Sequence, residues 1–413
     1  MRIPQRFLLL PLSLLTVTLV SERAVAADNC TTPPLVIAHR GASGHLPEHT
    51  LEAYQLAMRM GADFIEPDLV PTKDGQLISR HENDLTNTTN VAVLAQFADR
   101  RTTKRIDGIP VTGWFSEDFT LAEIKQLKAR EPLPALRPQG AEHNDQYSIA
   151  TLSEIVGLVK QFEADTGRKV GLYIETKHPT YFRYEGKTSD GKAIALDTSK
   201  KLIQQLKQLQ FTDPNRVFIQ SFEVQNLLEL KQQWMPALKL KFPLIQLIGD
   251  TEKAYLPPKD SFSVPYDVFY HQQQGTDLKA IYPQETNFLS AAAKPLDYSA
   301  LLNEKGLSFL HSYAAGIGPW RSSIYQKHSL ALKPFVKAAQ QQGLKVHPYT
   351  FRAEANYLMA KDAKTTFSFD EEMQALFKQG IDGVFSDYPD LALKSRALFL
   401  QRCGQSGASL SAG

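Results

Sequence analysis

Between positions 39 and 81 the chain concentrates groups suited to acid–base and phosphate chemistry. His39-Arg40-Gly41 comes first, then Pro47-Glu48-His49-Thr50, Glu66-Pro67-Asp68, Thr72-Lys73-Asp74-Gly75 and Arg80-His81-Glu82. Two histidines across one site, His39 and His81, can supply a general base and a general acid near neutral pH, the competing reading being two satisfied rim residues. Glu66 and Asp68 are two apart, so on a strand both point the same way. Glu175, with Lys177 two residues on, sits at the end of a later apolar run. Three converging carboxylates repel one another unless a cation lies between them. Oxygen-only ligands select a hard divalent ion, Ca2+ or Mg2+, over zinc. The competing arrangement pairs each carboxylate with a Lys or Arg at a rim. Arg40 and Lys177 suit a phosphate, one as a bidentate fork and one as a point charge. Salt bridging is the alternative use of each. Glu48 can accept from Arg40 or from a histidine. His45, His49, His178 and His347 read as supporting or structural. Taken together these groups point to metal-assisted phosphoryl transfer.

The elements that must position these groups follow from pattern. Leu35-Val36-Ile37-Ala38 reads as a buried strand that delivers His39 at its C-terminal end. Phe64 to Val70 reads as the next strand. Leu77 to His81 reads as a short strand folded back by the Lys73-Asp74-Gly75 turn. Thr50 is a helix N-cap, and Thr120-Leu-Ala-Glu123 and Thr151-Leu-Ser-Glu154 are capping boxes. Further strands are expected at Val170 to Glu175, Val217 to Phe222, Leu238 to Ile248, Leu307 to His311, Lys345 to Phe351 and Gly383 to Ser386. Strands alternating with helices in this way predict an α/β fold, a (β/α)8 TIM barrel with the site at the strand C-termini. Two irregular stretches, about 82–148 and about 249–296, interrupt the rhythm. The first is expected to be a subdomain inserted between strand 2 and the following helix, over the mouth of the site.

The N-terminus reads as a secretory signal over residues 1–26. Arg2 and Arg6 precede an apolar run from Phe7 to Val20, and Ala24-Val25-Ala26 is a small-residue cleavage site. The barrel then spans 27–413, in the periplasm or outside the cell. The whole chain has 46 Lys+Arg against 44 Asp+Glu. Removing the signal leaves the two signs balanced. A near-neutral chain without a basic run is a poor binder of nucleic acid. No later stretch is long and apolar enough to span a bilayer, so no stable membrane anchor is expected. The two cysteines, Cys30 and Cys403, form an even pair, which in an exported protein reads as a disulfide, with two unpaired thiols on the termini as the alternative.

The blocks from His39-Arg40-Gly41 to His81 closely resemble the glycerophosphodiester phosphodiesterases, in particular their periplasmic or secreted branch. The likeness continues through Glu175-Thr176-Lys177, Gln220-Ser221-Phe222, Tyr349-Thr350-Phe351 and Phe385-Ser386-Asp387-Tyr388-Pro389. The resemblance implies a β/α barrel with an insertion after the second strand. It implies metal ligands at Glu66, Asp68 and Glu175, acid/base histidines at His39 and His81, phosphate contacts at Arg40 and Lys177, and a loop glutamate at Glu48. It implies hydrolysis of glycerophosphodiesters, such as glycerophosphocholine or glycerophosphoethanolamine, to sn-glycerol 3-phosphate and an alcohol. The chain departs from many members at His49 (often Asn) and at Glu82 (often Asp); neither position is expected to carry the chemistry. Two other readings compete. A phospholipase acting on lysolipid or intact lipid would need an apolar rim, for which Trp114, Trp320 and the Tyr-rich second insertion are the candidates. A non-catalytic envelope binding protein on the same fold would usually have lost a histidine or a metal carboxylate.

Overall fold

Twelve strands are found among the described residues of the computed structural model, which are 30–252, 257–260, 262–282, 288–289 and 295–410, with side chains to 403. The signal-like segment 1–26 lies outside them. The strands are β1 (Leu35–His39), β2 (Phe64–Glu66), β3 (Asp68–Pro71), β4 (Leu77–Ser79), β5 (Thr102–Ile106), β6 (Ile109–Gly113), β7 (Gly171–Thr176), β8 (Val217–Ser221), β9 (Leu244–Ile248), β10 (Gly316–Pro319), β11 (Lys345–Val346) and β12 (Gly383–Ser386). Parallel pairing runs in the order β12-β1-β2-β7-β8-β9-β10-β11. The ring closes where the chain past β11 meets β12. Phe351 N–H donates to Phe385 O at 2.8 Å, and Phe385 N–H donates to Pro348 O at 3.1 Å. This is the expected TIM barrel.

Alternation along the strands sorts its side chains. Val36 and Ala38 of β1 face the surrounding helices, while Ile37 joins Phe64, Tyr173, Ile245 and Phe385 in a separate inner core. Tyr173 stacks on Phe218 at 4.7 Å and meets Phe385 edge-on at 4.8 Å. The next inward positions above this core are His39, Glu66, Glu175 and Gln220, because side chains two apart share a face. Thr50, Thr120 and Thr151 cap their helices as expected, the last two in complete capping boxes.

Four strand expectations need correction. Phe64 to Val70 is two strands, because Pro67 has no N–H for the ladder. Leu307 to His311 lies inside the helix Glu304–Tyr313, capped by Asn303, with Leu307, Leu310 and Tyr313 buried at helical spacing. The barrel strand there is β10, Gly-Ile-Gly-Pro, which carries few β-forming residues. Its glycines are required by close approach: a Cβ at Gly316 would lie 2.6 Å from Lys345 O. The expected strand from Leu238 begins only at Leu244, after a helix that stops at left-handed Lys239. Of Lys345 to Phe351, only β11 is regular, and isolated bridges at Tyr349 and Phe351 carry the ladder onward.

β3 and β4 form the expected hairpin, paired antiparallel at Leu69–Ser79 and Val70–Ile78. The chain from Glu82 to Ile149 then builds its own apolar cluster from Leu85, Phe97, Trp114, Phe115 and Phe119. That cluster rests on Val70 and Ile78 of the hairpin and on Tyr181 and Phe182. Trp114 is buried in it, with Nε1–H donating to Phe97 O at 2.6 Å, so it forms no apolar rim. In the second stretch, Asp267 caps the helix that begins at Gln225, accepting from Gln225 N at 2.6 Å and Val224 N at 3.1 Å.

Cys30 and Cys403 are joined in a disulfide with Cα atoms 5.7 Å apart, stapling the last helix (Pro389–Leu410) to the start of β1 across 373 residues. A bond of this kind suits an oxidising compartment. Closing so long a loop restricts the unfolded chain, so Cys30→Ser with Cys403→Ser is expected to lower unfolding free energy by ~2–5 kcal/mol. Guanidinium titration of the double variant beside the wild type measures it; coincident midpoints would refute the stabilising role.

Candidate active site

A cavity of about 760 Å³ opens at the C-terminal ends of the strands. Seven of the eight expected residues line it: His39, Arg40, Glu66, Asp68, His81, Glu175 and Lys177. The eighth, Glu48, is buried one step behind, where its Oε2 accepts from Arg40 Nη1 at 2.8 Å. Arg80 is wholly buried and holds that loop in place, donating to Glu48 O at 2.9 Å, His49 O at 3.1 Å and Thr88 O at 3.0 Å.

Register explains the convergence. His39 is level with Glu66 across β1 and β2, Asp68 with Glu175 across β3 and β7, and Glu175 with Gln220 across β7 and β8. Arg40 takes a left-handed backbone (φ 60°), which turns its N–H onto Glu66 Oε2 at 2.8 Å. Gly41 follows at φ 88°, where a Cβ would lie 2.7 Å from Ala53 C. Only glycine meets both demands.

One oxygen each from Glu66, Asp68 and Glu175 falls within 4.8 Å of the others, and all three residues are buried. Burial and Asp68 push Glu66 well above the usual carboxylate range. Burial raises Glu175 to about 8, with Asp68 adding to it and Lys177 opposing. Burial acts upward on Asp68 too, but Lys177 and the His49 hydrogen bond hold it well below. Protein groups therefore neutralise the triad only in part. Lys177 Nζ reaches Glu175 Oε1 at 3.0 Å, and Gln220 Nε2–H donates to Glu66 Oε1 at 3.1 Å. Buried Asp68 Oδ1 has no hydrogen-bond partner among the described residues. Three buried oxygen ligands with an orphaned lone pair between them fit a hard divalent cation.

Each histidine has a carboxylate at Nδ1. For His39 it is Asp387 Oδ1, hydrogen-bonded at 2.6 Å, and for His81 it is Glu82 Oε1, a charge contact at 3.1 Å. Burial and Arg40 depress His39 to about 4, outweighing Asp387. Burial, Arg40 and Lys177 likewise hold His81 well below its ordinary value, against Glu82. Both shifts favour the neutral imidazole. Asp387 is held ionised by Arg352 Nε at 2.9 Å and Arg137 Nη2 at 2.5 Å. It can only accept, so His39 carries its proton on Nδ1 and leaves Nε2 as an acceptor, 3.4 Å from Thr350 Oγ1.

Sequence reading missed several of these partners. Asp387 and Gln220 sat inside recognised blocks, with no local signal of what they touch. Arg137 lies in the irregular stretch and had none. Glu82, expected to stay apart from the chemistry, touches His81. His49, expected to support, bonds Asp68 Oδ2 at 3.0 Å and Tyr54 Oη at 2.8 Å. His347 is structural, lying 2.9 Å from Tyr173 Oη below the site.

A TIM barrel whose mouth joins two histidines, two cationic side chains and a carboxylate triad defines an enzyme of phosphate-ester chemistry. The Glycerophosphoryl diester phosphodiesterase family model matches residues 39–391, and the chain belongs to that family. It is 31% identical over 372 residues to glycerophosphodiester phosphodiesterase GDPD6 of Arabidopsis thaliana, covering 87% of this chain and 84% of that one. It is 30% identical to the glycerophosphodiester phosphodiesterase of Haemophilus influenzae, covering 87% and 89%. Among solved structures, an Oleispira antarctica phosphodiesterase in complex with the product sn-glycerol-3-phosphate superposes with TM-score 0.50 at 21% identity, covering 88% of this chain and 96% of that one. The chain is accordingly a glycerophosphodiester phosphodiesterase.

Proposed function

We propose that His39 and His81 are the acid/base pair of this hydrolysis and that Arg40 and Lys177 bind the phosphate. One imidazole Nε2 takes the proton of the attacking oxygen, either of water directly or of a glycerol hydroxyl that forms a cyclic phosphate which water then opens. The other ring, once protonated, gives its proton to the departing alcohol oxygen. Arg40, anchored on Glu48, and Lys177 balance the phosphate charge as the bond to the leaving oxygen stretches. Glu66, Asp68 and Glu175 would hold Ca2+ or Mg2+, which when bound polarises the phosphate oxygens. Substrates are glycerophosphodiesters such as glycerophosphocholine and glycerophosphoethanolamine, released as sn-glycerol 3-phosphate and the free alcohol. The signal-like N-terminus and the disulfide support export to the periplasm or beyond. The observation carrying this reading is the pair of carboxylate-backed histidines beside a buried carboxylate triad.

The deciding experiment gives the purified protein glycerophosphocholine with and without Ca2+ or Mg2+ and follows glycerol 3-phosphate. Cation-dependent release is expected. Equal release after exhaustive chelation would remove the cation from the reading. Faster turnover of lysolipid than of glycerophosphocholine would favour the phospholipase instead, a reading that buried Trp114 does not support.

A further inference from the structure

The carboxylate behind each histidine is itself tied by the segment inserted between β4 and the helix Leu152–Thr166. Arg137 is almost fully buried. Its Nη2 lies 2.5 Å from Asp387 Oδ2, its Nε–H donates to Glu354 Oε1 at 2.6 Å, and its Nη1–H donates to Ser43 O at 2.9 Å. Arg137 and Arg352, whose Nε is 2.9 Å from the same Oδ2, together pin Asp387 with Oδ1 facing His39 Nδ1. Across the cavity, Asp107 occupies the turn between β5 and β6. Its Oδ2 is 2.7 Å from His178 Nδ1, and His178 Nε2 is 2.7 Å from Glu82 Oε2. The other oxygen of Glu82 is the one beside His81 Nδ1.

We infer that the inserted segment orients both histidines, with Arg137 acting through Asp387 on His39 and Asp107 acting through His178 and Glu82 on His81. This rests on the acid/base reading above. A neutral imidazole has two tautomers, and only the one protonated on Nδ1 presents a lone pair at Nε2. A fixed carboxylate at Nδ1 selects that tautomer and the ring angle together. A carboxylate free to rotate selects neither. Burial lowers His178, but Asp107 and Glu82 raise it well above its ordinary value, so this bridge is cationic and holds Glu82 firmly. Arg137 and Asp107 are positioning residues, and the segment between β4 and the helix is part of the machinery rather than a cover alone.

The test combines turnover with a spectroscopic readout. Protein carrying 15N-histidine, with His39 and His81 assigned from single substitutions, reports which ring nitrogen bears the proton. In Arg137→Met, where Arg352 alone remains on Asp387, His39 is expected to show an Nε2–H fraction absent from the wild type. Its kcat on glycerophosphocholine should fall ~10-fold or more while KM stays within about twofold, the pattern of a lost transition-state interaction. Arg137→Lys should recover part of both. Asp107→Ala should move the His81 proton and leave that of His39 unchanged; it decides the matter if Arg137→Met does not fold. Wild-type kcat in either folded variant, or a fall in kcat with unmoved imidazole protons, overturns the inference. Full turnover by His39→Ala would instead overturn the acid/base reading beneath it.

Discussion

His39→Ala and His81→Ala are each expected to lower kcat on glycerophosphocholine by roughly 10²–10⁴-fold, the usual contribution of a positioned acid or base. The two rings do separate jobs, so neither substitutes for the other. His39 is 7% exposed, and an alanine there leaves Asp387 facing a small void while Arg137 and Arg352 still neutralise it. The fold should therefore survive, and circular dichroism and the melting midpoint should stay near wild type. A His81→Ala variant is safer still, because that ring is half-buried at the mouth. Steady-state assay of glycerol 3-phosphate release measures both. Turnover within about threefold of wild type in either variant removes that histidine from proton transfer.

The second large effect concerns the triad. Cation-free protein holds Glu66 and Glu175 well above the usual carboxylate range. A carboxyl raised on folding is more easily ionised when unfolded, so its folded state binds more protons and loses stability as pH rises. For Glu175 the loss runs from its ordinary 4.5 to about 8, and Glu66 acts in the same direction. Relative to Glu175→Gln, the melting midpoint of chelated wild type should fall across that window, a comparison that cancels the opposite contribution of the depressed histidines. Added Ca2+ or Mg2+ should remove the fall and raise the midpoint, by ~2.7 kcal/mol of stability at a hundredfold excess over Kd. Glu175→Gln should melt no lower than the wild type without cation, because it no longer buries a repelled carboxylate. It should lose most of the cation-induced shift and most turnover. A wild-type midpoint indifferent to both cations would count against binding at the triad, and an undiminished shift in Glu175→Gln would move the ion elsewhere.

Legibility in the sequence followed the range of the forces involved. The proposed catalytic stretch was readable because its histidines and carboxylates follow local apolar runs, and a period of two places Glu66 with Asp68 without any tertiary knowledge. Helix starts at Thr50, Thr120 and Thr151 were readable because a capping side chain bonds its own chain three residues on. β10 was not, because Gly316 and Gly318 are chosen for the closeness of neighbouring strands and carry no strand signal. The run at Leu307 has an apolar length that suits strand and helix alike, and burial of Leu307, Leu310 and Tyr313 against the barrel decided it.

The sequence by itself pointed to the alternating barrel architecture and, through resemblance to a family, to the eight residues of the proposed site; the pairing of its two cysteines was left open until their ends were seen to meet. Tertiary structure alone decided what stands behind those residues. Asp387 reaches His39 from 348 positions away, Arg137 reaches Asp387 from 250, and His178 joins Glu82 across 96. Such contacts arise from closing the ring of strands and laying the inserted segment on its mouth. No local pattern encodes them, because hydrogen-bond geometry depends on where two distant backbones come to rest.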